Sequence, residues 1–392
     1  MNLKILVLSI IQFSYAIASI STYIPRDSNL RNDYKIKVRI AQGLSNVTVS
    51  GTDLTRFLHP VKQEKTYAGR KKVKFNCHYF SKDNSRLRNQ VLLASLKSGT
   101  GLVTFDKKKY QGEIHVVTSK GKSSSCDVVN ELDMDSYISS LLSKEMNASW
   151  PIEALKAQAI AARTYAIHKI QTAKILGNGF YDLENSEKHQ VNGDFFDVTR
   201  RTLKAARETS GFVLKNKKGK LTPAFFHASC GGKTLRPHDV WANKVVGYEK
   251  VANCNYCKKK KNWQNSLTRK RLKKLISWAM KKKYIKPVDL KKRMLIYKDK
   301  KTRKVLHIKV GKKKIKLKKS LFRRYFGRVE FPSNNFYLAD GIAKGPVHFV
   351  GKGNGHGVGL CQVGSKGLAH KGWDYKRILS HYFPELKIRK IY

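Results

Sequence analysis

One carboxylate, one histidine set among glycines and a group of cysteines are the places where this chain could do chemistry. Glu145 follows Ile138, Leu141 and Leu142 at the i, i+3, i+4, i+7 spacing that shares one helix face. A carboxylate on an apolar face is desolvated, and desolvation favours the protonated form. A carboxylic acid that keeps its proton near neutral pH is what a general acid requires. The competing reading is a helix that frays there and leaves Glu145 in water. His356 lies in Gly351-Lys352-Gly353-Asn354-Gly355-His356-Gly357-Val358-Gly359. Alternating glycines strip side chains from the backbone, so that something can approach it closely. A histidine there is placed to bind substrate or assist proton transfer; the plainer reading is a histidine that hydrogen-bonds its own loop. Residues 359–366 (GLCQVGSK) are not a phosphate loop, because Ser365 precedes the lysine instead of following it. His227-x-x-Cys230 and Cys254-x-x-Cys257 together offer four soft ligands suited to tetrahedral zinc. A disulfide or reduced buried thiols are the other states open to them.

These groups need elements to hold them. Asp135 reads as the N-cap of a helix from Ser136 to about Met146. Pro151 suits the first turn of a second helix that reaches about Ile170. Glu153 faces the positive end of that helix dipole, and Ala154, Ala157, Ala159, Ala161 and Ala162 permit close packing. Residues 34–60 alternate apolar and polar, with a turn at Gly43; 73–80 and 101–118 also read as strands. Residues 199–210 look helical and 211–214 strand-like, and a last helix follows Asp374. The stretch 258–328 carries lysine runs at 258–261, 281–283 and 312–319. Within it Leu272, Leu275, Ile276 and Met280 keep helical spacing, while Val305, Ile308, Val310 and Ile315 keep strand order, so it folds. The expected class is α+β: several short strands packed with a central helix pair carrying Glu145, plus a basic α/β insertion. The expected divisions are a signal peptide (1–18), a β-rich region (34–130), a core (131–257), the lysine-rich insertion (258–328) and the rest of the core with the glycine run (329–392).

The 392 residues carry a net charge of +53, with 80 Lys+Arg against 27 Asp+Glu. Hydrophobic residues at 41% and aromatics at 10% make this a folding chain and not a basic tail. Such charge implies a polyanionic neighbour: cell-wall polymer, membrane lipid or nucleic acid. Lys4, the apolar stretch 5–15 and Ala16-Ile17-Ala18 read as a secretory signal peptide cleaved near Ser19, the alternative being an uncleaved anchor. Export argues against nucleic acid and for anionic cell-envelope polymers as the partner of the charge. The six cysteines are an even number, which permits disulfides outside the cell; Cys77 and Cys126 are candidates to pair.

The stretch EMNASWPIEALKAQAIAARTYA (145–166) resembles the central signature of the stage II sporulation protein D / LytB amidase-enhancer family. FHASCGGKT with Asp239-Val240-Trp241 resembles its second signature, and 351–384 its third, in the same order. IKVRIAQGLSNVTVSG (36–51), YQGEIHVV with VVNELDMDSYISSLL, LFRRYFG (321–327) and PSNNFYL (332–338) extend the likeness over roughly 35–388. The resemblance implies an exported lytic transglycosylase that cleaves the bond between N-acetylmuramic acid and N-acetylglucosamine in peptidoglycan glycan strands, leaving 1,6-anhydro ends. Its catalytic acid falls on Glu145. Gln158, Arg163 and Tyr165 are signature polar residues that would line the groove or pack the two helices; His356 and Gln362 would bind substrate. Zinc in some members of the family strengthens the case for His227, Cys230, Cys254 and Cys257. A non-catalytic wall-binding module that stimulates an N-acetylmuramoyl-L-alanine amidase is the alternative. The chain departs from the pattern at Cys361, where serine is usual, at Leu235, where glutamate is usual, and at Glu385, where glycine is usual.

Overall fold

Alternating burial draws the first third of the chain into a curled antiparallel sheet. The computed structural model describes residues 34–77, 90–120, 122–176, 179–184, 195–241, 243–258, 262–297, 304–339 and 345–392. The expected signal peptide lies outside the described residues. β1 (Lys35–Leu44), β2 (Asn46–Leu58), β3 (Gln63–Asn76), β4 (Leu92–Ser98), β5 (Leu102–Phe105), β6 (Lys108–Gln111), β7 (Glu113–Ser119) and β8 (Lys122–Asp133) follow in order. With β9 (Leu183–Glu184) they form a nine-stranded sheet ordered β6-β5-β2-β4-β7-β8-β1-β9, with β3 paired to β2. Alternate residues at the start of β2 turn inward, so Val47 and Val49 join Leu96, Ile114, Val116 and Val128 in one core. The Cys77–Cys126 disulfide closes that core. At Gly43 φ is 67°, the left-handed backbone that the turn out of β1 requires.

β8 runs straight into α1 (Met134–Glu145), whose cap is Asp133 and not Asp135. The Asp133 carboxylate accepts from the Ser136 amide at 2.9 Å. Asp135 falls inside the first turn, where its carboxylate is taken by Arg163. α2 (Ile152–Leu176) continues past Ile170. Its alanines serve two cores: Ala154, Ala159 and Ala162 pack with α1, while Ala157 and Ala161 pack with the C-terminal part of the chain. A helix buried on both sides needs small residues to let both neighbours approach. α3 (Arg200–Glu208), closed by a Thr199/Thr202 capping box, leads into β10 (Phe212–Lys215).

β11 (Phe226–His227), α4 (Pro237–Val240) and α5 (Asn255–Lys258) carry the second signature and the C-x-x-C pair. The basic segment then builds its own core. It comprises β12 (Trp263–Leu267), α6 (Arg269–Lys281), β13 (Met294–Tyr297), β14 (Val305–Val310), β15 (Lys313–Lys318), α7 (Ser320–Phe326), β16 (Phe336–Leu338) and β17 (Val347–Gly351). Ile315 and Leu317 of β15 face this core while Lys313, Lys314 and Lys316 face solvent. The core extends beyond residue 328, to Phe331, Phe336 and Phe349, because β17 pairs with β12 on one side and β16 on the other. Two lysines fasten the segment to the second signature. Lys304 Nζ meets Asp239 Oδ1 at 2.6 Å, and Lys318 Nζ donates to the carbonyls of His238 and Trp241. β18 (Leu360–Cys361) pairs in parallel with β11, and α8 (Gln362–His370), α9 (Tyr375–Tyr382) and β19 (Lys387–Lys390) complete the chain, β19 against β10. The fold is α+β, with α1 and α2 at its centre.

Candidate active site

Glu145 is the last residue of α1 and half-buried. The helix does not fray before it: the Met146 amide still donates to the Leu142 carbonyl at 3.0 Å. Ile138, Leu141 and Leu142 on the same face are fully buried. Gln362, itself 5% exposed, donates its Nε2 to Glu145 Oε2 at 3.5 Å. Tyr137 is buried within the same electrostatic neighbourhood. Burial pushes its hydroxyl pKa well up, and the charges of Glu145 and Tyr165 push it further. The start of α8 thus meets the end of α1, although 217 residues separate Gln362 from Glu145.

The three signature polar residues of α2 do different work. Arg163 is fully buried and is not a groove residue. Its guanidinium donates to Asp135 Oδ1 at 2.8 Å, to the Ala206 carbonyl at 3.0 Å and to the Thr209 carbonyl at 2.7 Å. It therefore ties α2 to the start of α1 and to the last carbonyls of α3. Gln158 is also fully buried, so it does not line an open groove; both polar atoms of its amide are buried without a hydrogen-bond partner among the described residues. Tyr165 is 8% exposed, its pKa is pushed up to about 12 by burial, and its ring meets Phe225 edge-on at 6.0 Å.

His356 makes the loop-bonding choice. Its Nδ1 accepts from the Val358 amide at 3.1 Å, and the ring also bonds to the Phe226 backbone. Burial, then His227 and Arg323, hold its pKa well below the usual histidine value, so the ring stays neutral. It packs against Trp241 at 5.1 Å, His227 at 5.5 Å and Phe225 at 6.3 Å. This is an aromatic wall held by backbone. His227 Nδ1 lies 3.0 Å from the Val358 carbonyl, which can only accept, so the proton sits on Nδ1. Burial lowers the His227 pKa to about 4.

His227 is nonetheless not a member of the buried cysteine group. Cys230, Cys254 and Cys257 gather with Cys361, their four sulfurs all within 4.8 Å of one another and all buried. The pairing of β11 with β18 sets His227 opposite Cys361 in register, and it is the cysteine that reaches the other thiols. The two carboxylates nearest the motifs are engaged elsewhere. Glu153 holds Lys156 at 2.9 Å and accepts from the Tyr375 amide at 2.9 Å. Asp239 is held by Lys304 and Arg236.

Residues 122–215, which include α1, α2 and Glu145, match the family described as Stage II sporulation protein. An amidase enhancer of Bacillus subtilis is 27% identical over 289 residues, which is 62% of this chain and 39% of that protein. These two likenesses support the stage II sporulation protein D / LytB family for this chain. An uncharacterized protein of Brachyspira hyodysenteriae is 35% identical over 260 residues, 65% of this chain and 66% of that protein. The chain thus spans less than two thirds of the length of either relative. Residues 244–359 match a domain of unknown function, DUF8618, which covers the basic segment and the whole glycine run.

The departures from the signature have local explanations. Leu235 is 8% exposed, and its amide donates to the Gly357 carbonyl at 2.7 Å. Its side chain packs under Gly357, where an added Cβ would meet Leu235 Cδ1 at 3.3 Å. Glu385 accepts from the Glu249 amide at 2.8 Å. Sequence reasoning missed Tyr137, Phe225 and Trp241 around the site. Only Trp241 carried a readable signal, as the aromatic of the second signature.

Proposed function

We propose that this protein is a cell-wall enzyme that cuts peptidoglycan glycan strands as a lytic transglycosylase, with Glu145 as general acid and then general base. The match of residues 122–215 to the Stage II sporulation protein family and the likeness to an amidase enhancer support a role at the cell wall. The observation that carries the catalytic reading is the approach of the Gln362 carboxamide to the half-buried Glu145 carboxyl. Glu145 gives its proton to the glycosidic oxygen as the bond from C1 of N-acetylmuramic acid breaks. The sugar's own 6-hydroxyl then closes on C1, and its proton passes to Glu145. No water is consumed and the acid is restored, so one carboxyl serves both steps. A hydrolytic glycosidase needs two carboxyls flanking the bond; the engagement of Glu153 and Asp239 with cations agrees with a single acid. The Gln362 amide orients the carboxyl and stabilises its charge between the two proton transfers. Phe225, Trp241 and His356, each partly exposed, supply apolar ring faces suited to stacking on sugar rings.

The test is digestion of purified glycan strands by the wild type and by Glu145→Gln, with mass spectrometry of the products. Loss of the general acid lowers the rate by about 10²–10⁴-fold. Anhydro ends that persist undiminished in Glu145→Gln would remove Glu145 as the acid. The name of the Bacillus relative favours one second reading, a wall-binding enhancer of an amidase. Wild-type protein that binds glycan but yields no anhydro ends would favour it.

A further inference from the structure

Four sulfurs meet where three distant segments converge. Cys230 comes from the loop after β11, Cys254 and Cys257 from the turn into α5, and Cys361 from the N-cap of α8. Cys257 Sγ lies 3.4 Å from Cys254 Sγ and 3.4 Å from Cys361 Sγ, and Cys254 Sγ lies 4.0 Å from Cys361 Sγ. Zinc with Zn–S bonds of about 2.3 Å needs sulfurs about 3.8 Å apart at the corners of a tetrahedron. The cluster has that size, and all four cysteines are free. Each sulfur also has a donor beside it. The Gly232 amide faces Cys230, the Tyr382 hydroxyl faces Cys254, and the Ser229 hydroxyl faces Cys257. The Cys230 and Gly364 amides face Cys361 at 3.4 Å each. Four thiolates around a dication leave net negative charge, which such a shell of donors offsets. The N-terminus of α8 adds the positive end of its dipole at Cys361. Gly364 makes room for this approach: a Cβ there would lie 2.5 Å from Cys254 Sγ and 2.0 Å from the Tyr382 hydroxyl.

We propose that Cys230, Cys254, Cys257 and Cys361 hold one zinc ion that cross-links the second signature, the C-x-x-C turn and the third signature, and so fixes Gln362. The donor set fits the zinc that the family resemblance implied, with a different fourth ligand: Cys361, standing where serine is usual, replaces His227. The site is closed, with four protein ligands and no open position, so the ion is structural. Its bearing on Gln362 rests on the catalytic reading of Glu145; the binding of the ion does not.

The test uses the full chain. Metal content is measured by plasma mass spectrometry, free thiols are counted after unfolding, and the zinc is exchanged for cobalt(II). One zinc per chain, four alkylatable thiols once the metal is chelated, and a tetrahedral all-thiolate cobalt spectrum are expected. Cys361→Ser loses at least about 10-fold in zinc affinity against a competing chelator, while His227→Ala keeps its zinc. A wild-type chain without metal, one with iron in place of zinc, or these cysteines found as disulfides would overturn the proposal. Unchanged affinity in Cys361→Ser, or loss of zinc in His227→Ala, would overturn the assignment of the fourth ligand. If Cys361→Ser does not fold, the wild-type cobalt spectrum decides between four thiolates and three thiolates with an imidazole. Absence of zinc with anhydro ends still formed sinks this inference alone; zinc present without anhydro ends sinks the catalytic reading alone.

Discussion

Two polar side chains of the central signature show how differently one motif can be used. Glu145 ends a buried stripe and meets Gln362, whereas Arg163 is enclosed by backbone carbonyls and Asp135. Removing one partner of a buried charge pair leaves the other charge uncompensated, at a cost of about 3–5 kcal/mol. Arg163→Met is expected to lose about 3 kcal/mol of stability through the stranded Asp135 carboxylate. At a temperature where the variant is still folded it should cut glycan at near the wild-type rate. Denaturant melts paired with the anhydro-end assay measure this. Unchanged stability with lost cutting would return Arg163 to the groove.

At the scale of elements, β1, β7 and β8 share one ionic cluster around Glu131. Its carboxylate meets His115 at 3.1 Å, Lys35 at 3.4 Å and Lys37 at 3.6 Å. The hydrogen bond from His115 leads in lowering the Glu131 pKa to about 2, with the charges of His115, Lys37 and Lys35 adding to it against the opposing effect of burial. A carboxylate whose folded pKa is depressed stabilises the fold above its unfolded value, near 4.5. That stability is lost as pH falls from about 4.5 through about 2, and amounts to about 3 kcal/mol. Unfolding free energies between pH 6 and pH 2 should therefore fall less steeply in Glu131→Gln than in the wild type. Parallel acid limbs in the two proteins would contradict the assignment. The same scale explains the cap of α1. The sheet strand ends at Asp133, and its extended backbone, ψ 154°, is what an N-cap needs. Asp135 has the residue type of a cap, but the pairing of β8 with β1 runs as far as Asp133 and puts the cap there.

For the whole molecule the net charge is +53, and among the described residues lysines line the solvent side of folded strands and helices. β15 shows the device in its simplest form, with Ile315 and Leu317 inward and lysines outward. The basic segment is not a passive anchor in its contacts, since Lys304 and Lys318 hold the turn that carries Trp241 against His356. We predict that adsorption to anionic wall material weakens strongly with salt. Between about 0.1 M and about 1 M the screening length falls from about 10 Å to about 3 Å, so exposed lysines lose most of their reach. Sedimentation of isolated walls with the protein over that range measures it; binding that ignores salt would exclude the lysines as its cause. Among the described residues no helix is long and apolar enough to cross a membrane.

Sequence alone determined what depends on neighbours along the chain. The stripe that ends at Glu145, the alanine-rich second helix, the alternation in β2 and β15 and the order of the three signatures are all local patterns, and helical or strand periodicity makes them legible. Cys77 with Cys126 was legible for a different reason, because both lie in one region and an even count permits a pair. Convergence was not legible. Arg163 looks like any polar residue on a helix until α3 closes over it. His356 looks available until the Phe226 and Val358 backbones occupy its ring. Cys361 read as a blemish in the third signature, yet the parallel pairing of β18 with β11 carries it to three thiols more than a hundred residues away. Those outcomes belong to tertiary structure, because burial and contact between remote segments are set by how whole elements pack and not by spacing within any one of them.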